Sequence, residues 1–170
     1  MPLNQKETVV AEPHRRQVDV EALRILLEQV KDPEIPVISI RDLGVLRGVR
    51  LEGDTVVVVI TPTYSGCPAM KAIRNDIEEL VAGATGLAVK VLTELTPPWS
   101  TDDMTEEGRH ALLEYGIAPP QRRDAGARRV QCPRCGSGST RLISEFGSTA
   151  CKALYQCHDC LEPFDHFKCI

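Results

Sequence analysis

Two Cys-x-x-Cys pairs, Cys132-Pro-Arg-Cys135 and Cys157-His-Asp-Cys160, lie close together near the C-terminus. Paired thiolates at that spacing can close an all-sulfur tetrahedron around one metal ion, and such a closed site is structural rather than catalytic. Between the pairs, Arg141-Leu142-Ile143-Ser144 and Ala153-Leu154-Tyr155-Gln156 have strand character. The expected unit is therefore a zinc ribbon over residues 130–170. A segment this short buries too little apolar surface to fold without such a staple.

A cysteine of another kind stands earlier in the chain. Cys67 belongs to Thr61-Pro62-Thr63-Tyr64-Ser65-Gly66-Cys67-Pro68, just ahead of an amphipathic run with Met70, Ile73, Ile77, Leu80 and Val81 on one face. Pro68 suits the first position of a helix, which puts Cys67 at or beside the N-cap. There the helix dipole and free N–H groups are expected to lower the thiol's pKa. Ser65 and Gly66 are expected to allow close backbone approach, and Thr61 and Thr63 to supply hydroxyl donors. Such a thiolate could act as a nucleophile, a redox sensor or a soft-metal ligand, and an inert buried cysteine fits the same pattern.

Asp32 and Glu34 form a second candidate group, held on the stiff turn Asp32-Pro33-Glu34-Ile35-Pro36, although plain turn chemistry accounts for them equally well. Cys151 and Cys169 read as a small buried residue and a tail thiol, and His158 as solvent-facing. A further metal site from Cys151, Cys169 and His166 has no support in the spacing.

The elements that position these residues follow from hydrophobic periodicity. Val20, Leu23, Leu26, Leu27 and Val30 recur at helical steps behind an Asp19 cap, and Pro33 ends that helix near Lys31. Leu43 to Leu51 and Thr55 to Thr61 read as strands joined at Glu52-Gly53-Asp54. The uninterrupted Val56 to Ile60 run marks the second as central and covered on both faces. After the Cys67 helix come a strand over Ala88 to Leu95 and a helix running to Tyr115, with Ser100 and Asp103 as its capping pair and Gly116 as its stop. The fold class is α+β, in the order α-β-β-α-β-α, followed by a mainly β tail. Residues 1–17 are expected to be a disordered leader, 18–117 the first domain and 118–129 a linker. Phe146, Phe164 and Phe167 all lie beyond that linker, so the tail is expected to have its own aromatic core.

Composition narrows the function classes. With 42% hydrophobic and 26% charged residues the chain is a globular protein, and no apolar stretch approaches the roughly 18 residues that span a bilayer. The N-terminus lacks the apolar core of a secretory signal, so the seven cysteines are expected to be reduced, in a cytoplasmic protein. A net charge of −4 argues against nucleic acid as partner, despite Arg122, Arg123, Arg128 and Arg129. No phosphate loop, His-Glu-x-x-His motif or nucleophile–base–acid set is present.

The acidic turn, Asp42-Leu43-Gly44 and the Thr61 to Ala69 segment together resemble the small domain of SufT-like iron–sulfur assembly factors. With Trp99-Ser100-Thr101-Asp102-Asp103-Met104 and the ribbon added, the chain from Val18 to Ile170 resembles the PaaD family, accessory proteins of ring-1,2-phenylacetyl-CoA epoxidase. That resemblance implies a non-catalytic maturation or repair factor in aerobic phenylacetate breakdown. It makes Cys67 the reactive cysteine and Asp32 and Glu34 its acidic turn, with Thr61, Thr63, Ser65 and Gly66 around them. It implies structural zinc in the ribbon and a transient iron or iron–sulfur cargo at Cys67. The implied partners are the oxygenase or reductase subunits, and one cysteine per chain points to a homo-oligomer or a client for the missing ligands. Competing readings are a structural or electron-transfer component of the oxygenase, a nucleic-acid-binding ribbon, and a thiol-redox switch.

Overall fold

The structure is a computed structural model that describes residues 18–121 and 129–168. The expected leader, most of the expected linker with Arg122, Arg123 and Arg128, and Cys169 lie outside the described residues.

Asp19 caps the first helix, α1 (Val20–Leu26), through its carboxylate and the Glu21 N–H, and a 3-10 turn over Leu27–Gln29 extends it. Strands β1 (Leu46–Glu52) and β2 (Thr55–Ile60) form an antiparallel hairpin, and β3 (Ala88–Thr93) pairs parallel to β2. A parallel neighbour requires a crossover, which α2 (Ala69–Thr85) supplies. Ala69, Ile73, Ile77 and Val81 recur every fourth residue and form its buried stripe. Every residue from Val56 to Ile60 is buried, as a central strand covered on both faces must be.

The segment after β3 differs from expectation. Ser100 and Asp103 do form a capping box, but on a 3-10 turn of three residues, Thr101–Asp103. The helix proper, α3 (Glu106–Glu114), starts one step later under its own cap, Thr105. The cause is tertiary. Thr105 donates its backbone N–H to the Asp42 carbonyl and its hydroxyl to the Asp42 carboxylate, which pins the chain between the two turns. Gly44 has φ +77°, and a Cβ there would lie 2.4 Å from the Asp103 carbonyl oxygen. Only glycine fits that crossing. Arg47 clamps the same corner, its two terminal nitrogens each 2.9 Å from an Asp103 oxygen.

Chain leaving α3 enters the second sheet directly. Ile117–Ala118 form β4, parallel to β7 (Pro163–Phe167), and β6 (Lys152–Cys157) and β5 (Thr140–Ser144) complete the order β4-β7-β6-β5. Ala118, expected to open the linker, is therefore a strand residue. Arg109 of α3 reinforces the junction by donating to the carbonyls of Pro120 and Thr101.

The tail does not keep its aromatics to itself. Phe164 stacks on Tyr155 in a small cluster beside Cys132 and Cys157, while Phe146 is exposed. Phe167, 1% exposed, belongs to the large core and meets the Trp99 ring edge-on at 5.9 Å. Trp99 is fixed in turn by its indole N–H, which donates to the Leu43 carbonyl at 2.8 Å. The two sheets thus share a core. Removing a buried aromatic ring costs about 3–5 kcal/mol. Phe167→Ala is expected to lower the denaturant midpoint read by the fluorescence of Trp99, the sole tryptophan. An unmoved midpoint would mean that the ribbon contributes nothing to that core.

Candidate functional site

The four ribbon cysteines converge as their spacing predicts. Their sulfurs all lie within 4.8 Å of one another, with Cys132–Cys160 and Cys135–Cys157 each at 3.6 Å. A tetrahedral ion with metal–sulfur bonds of about 2.3 Å requires separations of about 3.8 Å, so the set fits such an ion with no position left open. Backbone N–H groups turn toward the sulfurs, from Ser137 to Cys135, from Glu162 to Cys160, and from Cys160 and Asp159 to Cys157. At Cys157 these donors, Cys160 first, outweigh burial and hold the thiol down to about 7.

Both knuckles turn through a left-handed residue just after their second cysteine, Gly136 at φ +73° and Leu161 at φ +65°. The repeated geometry explains the glycine, and Leu161 carries the corresponding strain. His158 is exposed, as expected. His166 sits with its Nδ1 3.1 Å from the Ala118 carbonyl and its ring edge-on to Tyr155, and burial pushes its pKa down. Among the described residues, only the four ribbon cysteines gather three or more such donors at one point.

The second constellation is built around the turn Asp32–Pro36. Asp32, 7% exposed, accepts the N–H groups of Glu34 and Ile35 on one carboxylate oxygen, at 2.8 and 2.9 Å. This is the turn chemistry that the sequence allows, and it leaves Glu34 within electrostatic reach of Cys67. The backbone of Asp32 bonds to Ile38, and Ile35 and Ile38 anchor the turn in the core. Cys67 lies one residue before the Pro68 cap of α2 and is half-buried. Its sulfur receives the Ala69 N–H and the Thr63 hydroxyl, and it bonds to Tyr64.

The expected low thiol pKa is not found. Burial pushes the Cys67 thiol up, the Ala69 N–H opposes this, and the charges of Asp32 and Glu34 push it further up. The helix end is outweighed because the thiol is desolvated and faces two carboxylates. The shift favours the protonated thiol over the thiolate.

Of the loop residues singled out in the sequence, Thr63 reaches the sulfur. Thr61 and Ser65 line a cleft with Tyr64 and Trp99 instead. At Gly66 a Cβ would meet nothing closer than 3.8 Å, so close approach does not require the glycine. Sequence reasoning gave no role to Tyr64 or Lys152, and it read Cys151 as a small buried residue, which it is, without placing it near Glu34. Cys151 is 5% exposed, within the large core, and its sulfur lies 4.0 Å from a Glu34 carboxylate oxygen. Lys152, 6% exposed, pairs with Asp165 at 3.3 Å and partly offsets the charge of Asp32, whose carboxyl burial pushes up. The one available signal was a lysine following a cysteine at the start of an apolar strand.

With this geometry established, comparison with known proteins is informative. Residues 20–92 match the family described as "Iron-sulfur cluster assembly protein" and residues 117–168 the "PaaD zinc beta ribbon domain". Over 55% of its length this chain resembles 90% of a crystal structure titled "Domain of Unknown Function DUF59 from Bacillus anthracis", at TM-score 0.51 and 28% identity. Fold and cysteine cluster together define an assembly-type α+β domain carrying a ribbon. The chain belongs to the PaaD family, in which those two parts are joined. A relative from Escherichia coli (strain K12), provisionally named as one of the subunits of 1,2-phenylacetyl-CoA epoxidase, is 52% identical over 85% of this chain and 90% of its own length. A Porphyromonas gingivalis (strain ATCC BAA-308 / W83) protein, named "Fe-S protein maturation auxiliary factor", is 39% identical over 54% of this chain and 86% of its own.

Two tests bear on this geometry. Removing one negative charge lowers the thiol pKa, so Glu34→Gln is expected to speed alkylation of Cys67 several-fold at pH 8, by peptide mapping of metal-loaded protein. An unchanged rate would mean that Glu34 does not act on the sulfur. Left-handed backbone costs a non-glycine residue about 1–2 kcal/mol, and Leu161 is 68% exposed, so it has little packing to lose. Leu161→Gly is therefore expected to raise the melting temperature, and Gly136→Ala to lower it. A destabilised Leu161→Gly would show that the side chain outweighs the strain.

Proposed function

We propose that this chain is an accessory factor that matures or repairs the iron or iron–sulfur centre of a phenylacetyl-CoA epoxidase, with Cys67 as the transient attachment point. The observation that carries the reading is the half-buried Cys67, set against Asp32 and Glu34 in an assembly-family domain. The relatives named as an epoxidase component and as iron–sulfur maturation factors support an accessory role in assembly, and the first supplies the pathway.

The site's properties suit a carrier. A catalytic metal centre keeps a stable set of protein ligands, whereas a carrier must release what it holds. Cys67 provides one soft donor that is protonated until a cation displaces the proton. Glu34 and Asp32 provide hard donors and negative charge that attract a divalent ion without locking it in place. Thr63, Tyr64 and the Ala69 N–H direct the sulfur.

The ribbon cluster has the opposite character. Four sulfurs with no open position suit zinc held for structure, and we assign zinc there. In this reading the ribbon fixes its end of the shared core and offers β5, one of the two edge strands of its sheet, for docking the oxygenase or the reductase. No helix among the described residues is long and apolar enough to cross a membrane.

Metal analysis of protein purified without oxygen tests the assignment. The intact chain is expected to hold one zinc plus substoichiometric iron, and Cys67→Ser one zinc and no iron. In cells, Cys67→Ser is expected to leave the epoxidase proteins present but poorly active. Full epoxidase activity with Cys67→Ser would remove the carrier role.

A further inference from the structure

Cys151 is a ribbon residue that reaches the acidic turn, and it is not one of the four cysteines of the ribbon cluster. It sits at the mouth of the turn Gly147–Cys151, just ahead of β6, its sulfur 3.1 Å from the Thr149 hydroxyl and 4.0 Å from Glu34. The turn is tightly held. Gly147 N–H bonds to the Lys152 carbonyl, Lys152 N–H to that of Thr149, and Lys168 N–H to that of Cys151 itself. A Cβ on Gly147 would fall 2.7 Å from an Asp165 carboxylate oxygen, so a side chain there would require that carboxylate to move. Phe167, one residue before Lys168, is buried against Trp99. The ribbon is thus docked in the orientation that delivers Cys151 to the acidic turn. Cys67 and Cys151 each lie within electrostatic reach of the other and of both Asp32 and Glu34.

We propose that Cys67 and Cys151, with Glu34 and Asp32, form one divalent-metal site that spans the first domain and the ribbon. Two sulfurs and two carboxylates suit a borderline ion such as Fe(II), Co(II) or Zn(II), and Mg(II) or Ca(II) poorly. On binding, each thiol gives its proton to solvent, so two negative sulfurs replace two neutral ones as the doubly charged ion enters. The four donors are not gathered around a single point. A shared ion would require the half-buried Cys67 and Glu34 side chains to turn toward the buried Cys151. A site that must close around its ion holds it less tightly than the preformed ribbon cluster, which is the behaviour a donor requires.

The inference deepens the maturation reading and depends on it only for the identity of the cargo. It also changes the ligand count. The second sulfur comes from the same chain, so a second copy is not required to complete the site.

Cobalt(II) added to the zinc-loaded, fully reduced chain tests it, because thiolate-to-cobalt charge-transfer absorption scales with the number of sulfurs bound. The intact chain is expected to take up one cobalt beyond its ribbon zinc. Cys151→Ala and Cys67→Ser are each expected to halve the charge-transfer intensity and to weaken binding at least tenfold, with zinc content unchanged. Cobalt binding by Cys151→Ala identical to that of the intact chain would overturn the shared site and leave Cys67 standing as a single-sulfur carrier. Binding unaffected by Cys67→Ser would remove the carrier reading as well. A second measurement needs no variant. In the intact chain cobalt is expected to shield both Cys67 and Cys151 from alkylation, and shielding of Cys67 alone would overturn the proposal.

Discussion

The burial of Phe167 and Cys151 in the core built around Trp99 is the contact on which the remaining arrangement depends. A zinc ribbon is held together chiefly by its ion, and nothing in that ion determines where the ribbon sits. Here the orientation is set at two places. Strand β4 leaves α3 and pairs directly with β7, which leaves the chain little freedom at the hinge. Phe167 then inserts its ring against Trp99, itself tied to the Leu43 carbonyl. Hydrogen bonding sets direction, and the buried ring supplies most of the stabilisation, because an edge-to-face aromatic pair adds only about 0.5–1.5 kcal/mol beyond the area it buries.

Charge in the acidic turn is balanced by few partners. Asp32 is almost fully buried, which would be unfavourable for a carboxylate alone. Two backbone N–H groups and the charge of Lys152 offset that cost, and Lys152 is in turn neutralised by Asp165. Lys152 and Asp165 belong to the ribbon, so the ribbon contributes electrostatically to a site whose carboxylates belong to the first domain. The same burial explains why Cys67 departs from the behaviour expected at a helix end. N–H groups at a helix terminus stabilise a thiolate by fractions of a kcal/mol up to about 2. Desolvation together with two nearby carboxylates outweighs that.

Much of the fold was legible in the sequence. The Val56 to Ile60 run announced a central strand, and the fourfold spacing of Ile73, Ile77 and Val81 announced a buried helix face. Local capping was legible as well, down to the reciprocal Ser100–Asp103 pair. What local signals did not give was the extent of that element. The chain stops after one turn because Asp42, distant in sequence, holds Thr105 and makes it a second cap. The aromatic tail misled for a related reason. Composition placed three phenylalanines in one segment, but only packing against a partner decides which core each ring joins.

The sequence by itself determined the ribbon cluster and the acidic turn. Both are local: two Cys-x-x-Cys knuckles specify tetrahedral sulfur at fixed spacing, and Asp-Pro-Glu-Ile-Pro specifies a rigid bend. It also placed Cys67 beside a helix start. The tertiary structure decided what surrounds that sulfur, including its raised pKa and its neighbours Glu34, Tyr64 and Cys151. The physical reason is that a pKa and a ligand set depend on desolvation and on charges brought together from distant segments. No spacing along the chain encodes the docking of one sheet against another, which follows from the fit of Phe167 beside Trp99.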